Sequence, residues 1–159
     1  MTARNYLDRI EAAYQGEVYG EAMYLAIAAA RPDPDHAWKW RVLAQQEIET
    51  KDAMRVLVAA HGGETRELDA SSEAGLAAAG AYAPLPWPEL MRRFSDALDD
   101  DIAEYSDLEK DCPPADAATL KRLTLHELLT KEFCELELAG RGDKSLRAIL
   151  ASLEHPPPR

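Results

Sequence analysis

The chain has 159 residues, of which 30% are charged and 47% hydrophobic, and its formal net charge is −11 at pH 7. That length suffices for one domain, expected over residues 1–155, with a core that needs no disulfide or metal staple. The acidic balance argues against nucleic acid and anionic membranes as partners, because both recruit a basic surface.

Ala, Leu, Glu, Arg and Lys dominate, and alternating runs of Val, Ile and Thr are missing, so the expected fold class is all-α. The charged stretch 1–9 lacks an apolar run of signal-peptide length. The longest nearly apolar run, 22–30, is too short to cross a bilayer. Cys112 and Cys134 are the only cysteines and do not suggest a disulfide framework, so a reducing cytoplasm is the expected location.

In chain order, a first helix is expected over 3–30, ended by Arg31-Pro32-Asp33-Pro34, where two prolines interrupt helical hydrogen bonding. A second runs from about 35 to 60 and stops at His61-Gly62-Gly63. Residues 62–86, rich in Ala, Gly and Ser, read as a connection. A third helix starts at Trp87-Pro88, with Pro at a tolerated first-turn position, and ends before Cys112-Pro113-Pro114. A fourth spans 115–139, stopped by Gly140-Arg141-Gly142, and a short fifth spans 143–154 ahead of a loose tail, 156–159. The short first and third links make two antiparallel hairpins. The long middle connection suits a crossover between parallel helices, with an up-down bundle and a disordered loop as the alternative.

Stepping 100° per residue places Leu7, Ile10, Tyr14, Tyr24, Leu25 and Ala28 on the buried stripe of the first helix. Glu17 and Glu21 fall inside that stripe. In the second helix, Glu47 is central among Trp40, Leu43, Met54, Leu57 and Val58. In the third, Asp101 is central and Glu104 borders a stripe of Leu90, Phe94, Leu98, Tyr105 and Leu108. In the fourth, Glu127 is central among Leu120, Leu123, Cys134 and Leu138. Glu17 and Glu47 are equally far from the first turn, and Asp101 and Glu127 are nearly equidistant from the second. Equal distances mean equal heights, so the four acids converge on one polar centre. A buried carboxylate must be protonated, paired or metal-bound, and clustered carboxylates favour a polyvalent cation.

These residues carry a resemblance. Glu17-Val-Tyr-Gly-Glu-Ala-Met-Tyr24 is similar to the first helix of ferritins and rubrerythrins, where a ligand glutamate precedes a tyrosine by seven residues. Ala44-Gln-Gln-Glu47-Ile-Glu-Thr50 resembles the second helix of that superfamily, and Glu127-Leu-Leu-Thr130 occupies the matching place in the second hairpin. As a helix plan, the resemblance covers residues 3–140. It implies a ferritin-like four-helix bundle with a non-haem di-iron or di-manganese site and O₂, peroxide or iron chemistry. The implied metal set is Glu17, Glu47, Asp101 and Glu127, with Glu21 and Glu104 as auxiliary or bridging carboxylates, and side-by-side pairing implies a homodimer.

The chain departs from the family at two matching positions. Where the family has Glu-x-x-His twice, Thr50 and Thr130 stand here, each followed by Lys (Lys51, Lys131). A hydroxyl is a poor ligand for Fe²⁺ beside an imidazole, and an all-carboxylate site suits Mn²⁺, Mg²⁺ or Ca²⁺ at least as well. None of the four histidines is expected to restore the site: His126 points 100° away from Glu127, His61 is far along the axis, His36 starts a helix and His155 lies in the tail. Two functions follow. One is a carboxylate metal protein, an oxidoreductase if iron or manganese binds. The other is a metal-free interaction module whose acids are neutralised by Lys51, Lys131, Arg41 or one another. Gly16 and Gly20, one turn apart, could permit close helix approach.

Overall fold

The first corner of the chain follows from Asp33-Pro34. In a computed structural model, which describes residues 3–159 and their side chains from residue 5, helix α1 (Ala3–Ala30) ends before Pro32. Helix α2 (Pro34–Ala60) then starts with Asp33 as its cap, whose carboxylate accepts from the Asp35 and His36 amides at 2.8 and 3.1 Å. Pro34 occupies the first turn, where no backbone donor is required. At the other end of α2 the chain turns through Gly62, whose φ of 74° is natural only for glycine.

The connection expected over 62–86 contains a helix of its own, α3 (Asp69–Tyr82). Its small, weakly patterned residues bury only Gly75 and Ala79, so periodicity gave no signal. It lies so close to α1 that a Cβ on Gly75 would sit 2.3 Å from the Tyr19 carbonyl oxygen. Then come α4 (Trp87–Lys110), α5 (Ala117–Leu138) and α6 (Arg147–Ser152), the last shorter than the 143–154 expected. Among the described residues there are six helices and no strand, and no helix is long and apolar enough to cross a membrane.

Contacts fix the directions of the long helices. Along α1 and α2, Tyr14 meets Arg55 and Glu21 meets Lys51, so they are antiparallel. Helices α1 and α4 pair Arg9 with Glu104 and Tyr24 with Phe94. Helices α4 and α5 pair Trp87 with Glu137 and Asp99 with Lys131, and α2 and α5 pair Lys39 with Glu137 and Glu49 with Arg122. Helices α1 and α5 therefore run one way, and α2 and α4 the other. The segment between α2 and α4 must return along the molecule, and α3 does so beside α1. It is tied at its start by Leu68 N–H donating to Gln15, and just beyond its end by Arg31 donating to the Ala83 and Leu85 carbonyls.

The core has two apolar clusters. One contains Tyr24, Trp40, Leu43, Phe94 and Phe133, and the other Ile10, Tyr14, Met54, Leu108 and Leu123. On α2, α4 and α5, the central acids fall in the sequence gap between the two clusters. Leu25 and Leu138, expected on buried stripes, are 43% and 42% exposed, Leu138 being the last residue of α5. The tail contacts the fold, with the Arg159 guanidinium 4.8 Å over the Trp38 ring and paired to Asp35.

Candidate functional site

The polar layer between the clusters is built from α1, α2 and α5. Glu17, Glu47 and Glu127 are all buried there, at 1%, 3% and 6% exposure. Equal spacing from the α1–α2 corner brings Glu17 and Glu47 to one height. Gly20 makes room for the second of them: a Cβ there would lie 2.3 Å from Glu47 Oε2. One turn earlier, a Cβ on Gly16 would lie 2.8 Å from the Tyr105 hydroxyl. Both glycines permit close approach, at the cost of helix propensity.

His126 lies at the centre of this layer, contrary to its expected outward direction. Its Nε2 is 2.9 Å from Glu47 Oε1 and 3.6 Å from Glu127 Oε1, and its Nδ1 is 3.8 Å from Glu17 Oε2. The 100° between His126 and Glu127 is real, but α5 packs against both α2 and α4. Two adjacent residues can therefore both point inward, His126 to Glu47 on α2 and Glu127 to the space between α1 and α4. A signal for this existed: Leu123, His126, Thr130 and Phe133 recur at helical spacing, and all four are buried.

The imidazole is oriented from behind. Its Nδ1 lies 3.1 Å from the Leu123 carbonyl oxygen and donates to it, which leaves Nε2 to face the carboxylates. Thr130, at the position where the resemblance implies a ligand histidine, donates instead to the His126 carbonyl at 3.0 Å. Gln46 Nε2 donates to that same carbonyl at 3.2 Å, tying α2 to α5. Thr50 is buried beside them.

The remaining expected site residues lie elsewhere. Glu21 pairs with Lys51, which also holds Glu67 at 2.8 Å, and Glu104 is 57% exposed and pairs with Arg9. Neither reaches the centre. Asp101 is exposed rather than central, at a cavity of about 230 Å³ between α1 and α4 whose walls include Glu47 and Glu127. Lys51 and Lys131, weighed as neutralising partners of Glu47 and Glu127, are engaged with Glu21 and Glu67 and with Asp99. The helical geometry explains this: a Lys four residues on reaches past its own glutamate to the neighbouring helix.

Electrostatics follow from burial and crowding. Burial, then Glu47 and Glu127, hold Glu17 well above the usual carboxylate range, against the pull of His126. Burial raises Glu127 from its ordinary 4.5 to about 8, with His126 opposing and Glu47 and Asp101 adding to the shift. Burial alone would lower His126, but Glu17, Glu127 and Glu47 outweigh it and raise the imidazole well above 6.5. Protein packed around Asp101 raises its carboxyl, with Glu47 and Asp100 adding to the effect. Tyr24 and Tyr105, buried beside the acids, keep their protons.

Three buried carboxylates thus face one imidazolium, and protons or a cation must supply the missing positive charge. Glu17, Glu47 and His126 each offer a ligand atom within 4.8 Å of the others. Glu17 Oε2 and Glu127 Oε2 are buried without a hydrogen-bond partner. Searches against protein-family models, curated proteins and solved structures find no match to this chain.

Proposed function

We propose that this chain is a ferritin-like bundle that binds one divalent transition-metal ion, Mn²⁺ or Fe²⁺, through Glu17, Glu47 and His126, with Glu127 flanking the ion. The observation that carries the reading is the mutual reach of those three ligand atoms in a fully buried layer. One nitrogen and several carboxylate oxygens suit Mn²⁺ and Fe²⁺ better than the all-oxygen set the sequence suggested. The Leu123 carbonyl behind His126 is the outer-shell partner that metal-binding imidazoles ordinarily have. The antiparallel pairs and the long return segment agree with the ferritin-like plan. Iron or manganese here would supply one-electron chemistry; the chain's own residues bind the ion, orient the imidazole and exclude water around it.

A second reading has its own support. The His126–Glu47 hydrogen bond at 2.9 Å and the raised carboxyls of Glu17 and Glu127 let the layer neutralise itself with protons. The bundle would then serve as a metal-free interaction module.

Equilibrium dialysis against Mn²⁺ and anaerobic Fe²⁺, read by elemental analysis, separates the two. About one ion per chain, reduced at least about a hundredfold in affinity by Glu47→Ala, is expected for a ligand-bearing site. Oxygen or peroxide consumption by the loaded protein, lost in the same variant, then tests the oxidoreductase activity.

A further inference from the structure

The cavity between α1 and α4 has a chemistry of its own. Tyr19, Tyr82, Phe94 and Tyr105 line it, and Glu47, Asp101 and Glu127 supply acids to its wall. Among the described residues, no Lys, Arg or His lines it. Glu127 is 94% buried by its 6% exposure, and its Oε2 has no hydrogen-bond partner. The volume of about 230 Å³ exceeds the roughly 150 Å³ at which an apolar protein cavity accepts benzene.

The possible occupants can be compared by their charge and surface. An anion meets the acids and, among the described residues, no cationic side chain to offset them. A neutral apolar molecule fills the aromatic part but leaves Glu127 Oε2 without a polar partner. A hydrated metal ion satisfies the acids but gains little from the rings. A compact organic cation satisfies both, because aromatic rings attract a desolvated ammonium and the carboxylates neutralise it.

We propose that this cavity binds a small alkylammonium or quaternary ammonium compound, held between its tyrosines and Phe94 and charge-matched by Asp101 and Glu127. Glu17 and His126 do not line it, but Glu47, a proposed metal ligand, and Glu127, which flanks the ion, do, so the two sites share a wall. The inference does not rest on metal binding.

The test is calorimetric titration of the full chain with choline and with its neutral analogue carrying carbon in place of nitrogen, before and after Mn²⁺ loading. Choline is expected to bind with a dissociation constant below about 1 mM, and the neutral analogue about tenfold more weakly. Asp101→Asn and Tyr82→Ala should each weaken choline by about fivefold or more. Circular dichroism and melting of each variant show that it is folded, and Tyr82→Ala should leave Mn²⁺ binding unchanged. Equal binding of the neutral analogue, no choline binding by the wild type up to about 10 mM, or full affinity in both folded variants would overturn the inference. If choline binds and Mn²⁺ does not, the metal reading fails alone. The reverse result sinks the ammonium site alone.

Discussion

The two hairpins contribute unequally to the polar layer. From α1–α2, both central acids are buried to the same depth, Glu17 at 1% and Glu47 at 3% exposure. From α4–α5, helix α5 supplies both Glu127 and His126, whereas α4 supplies only Asp101 at the surface. The layer is therefore centred on α1, α2 and α5, with the cavity on its α4 side. Matched spacing from a turn sets height along a bundle, but rotation about the helix axis decides burial, and a one-residue difference turns a side chain by 100°.

The largest expected break of this comparison comes from Gly20→Ala. Alanine is intrinsically better in a helix by about 1 kcal/mol, but its Cβ would collide with the Glu47 carboxylate. Mn²⁺ affinity measured by dialysis should fall by about a hundredfold or more, as for loss of a ligand.

Next in size is His126→Ala. It removes the imidazole that faces three buried carboxylates, so the metal-free protein should lose about 3 kcal/mol in urea unfolding at pH 7. The raised imidazole contributes this stability in full below its ordinary 6.5 and loses it as pH climbs, so the loss on substitution should be at least as large at pH 5 as at pH 7. A clearly smaller loss at pH 5 would show that the charge of the imidazole was not what the substitution removed.

A smaller effect is the pH dependence of the metal-free wild type. Glu127 rises from an ordinary 4.5, its value in the unfolded chain, to about 8 in the folded one. The folded state thus holds the proton more tightly, so the stabilising contribution is complete below about pH 4.5 and is lost as pH climbs towards 8. Raised Glu17 and His126 act in the same direction. Urea midpoints corrected for global charge by a Glu127→Gln control should fall from pH 5 to pH 8 more in wild type than in the control. Smallest of all, Glu104→Gln removes one exposed pair with Arg9 and should change stability by less than about 1 kcal/mol, with Mn²⁺ binding unaltered.

Much of this was legible in the chain. The prolines at 32, 34, 86 and 88 and the glycines at 62 and 140 punctuate the long helices, and the stripes of α2 and α4 are buried as their periodicity requires. Glu17, Glu47 and Glu127 could be picked because each interrupts an apolar stripe. Helix α3 was illegible because alanine and glycine carry no face. His126 was missed because a single stripe per helix was assumed, while α5 is packed against α2 and α4 together. Glu21 and Glu104 read as auxiliary or bridging carboxylates in sequence, but the cations that claim them, Lys51 and Arg9, come from neighbouring helices.

The central claim, that Glu17, Glu47 and His126 form a metal centre, is tested most directly by Mn²⁺ electron paramagnetic resonance combined with dialysis on wild type, Glu47→Ala and Glu104→Gln. About one bound Mn²⁺ per chain in wild type and Glu104→Gln, with none in Glu47→Ala, is the expected result. Less than about 0.2 ion per folded wild-type chain after loading with Mn²⁺ or Fe²⁺, or binding that survives Glu47→Ala unchanged, would contradict it.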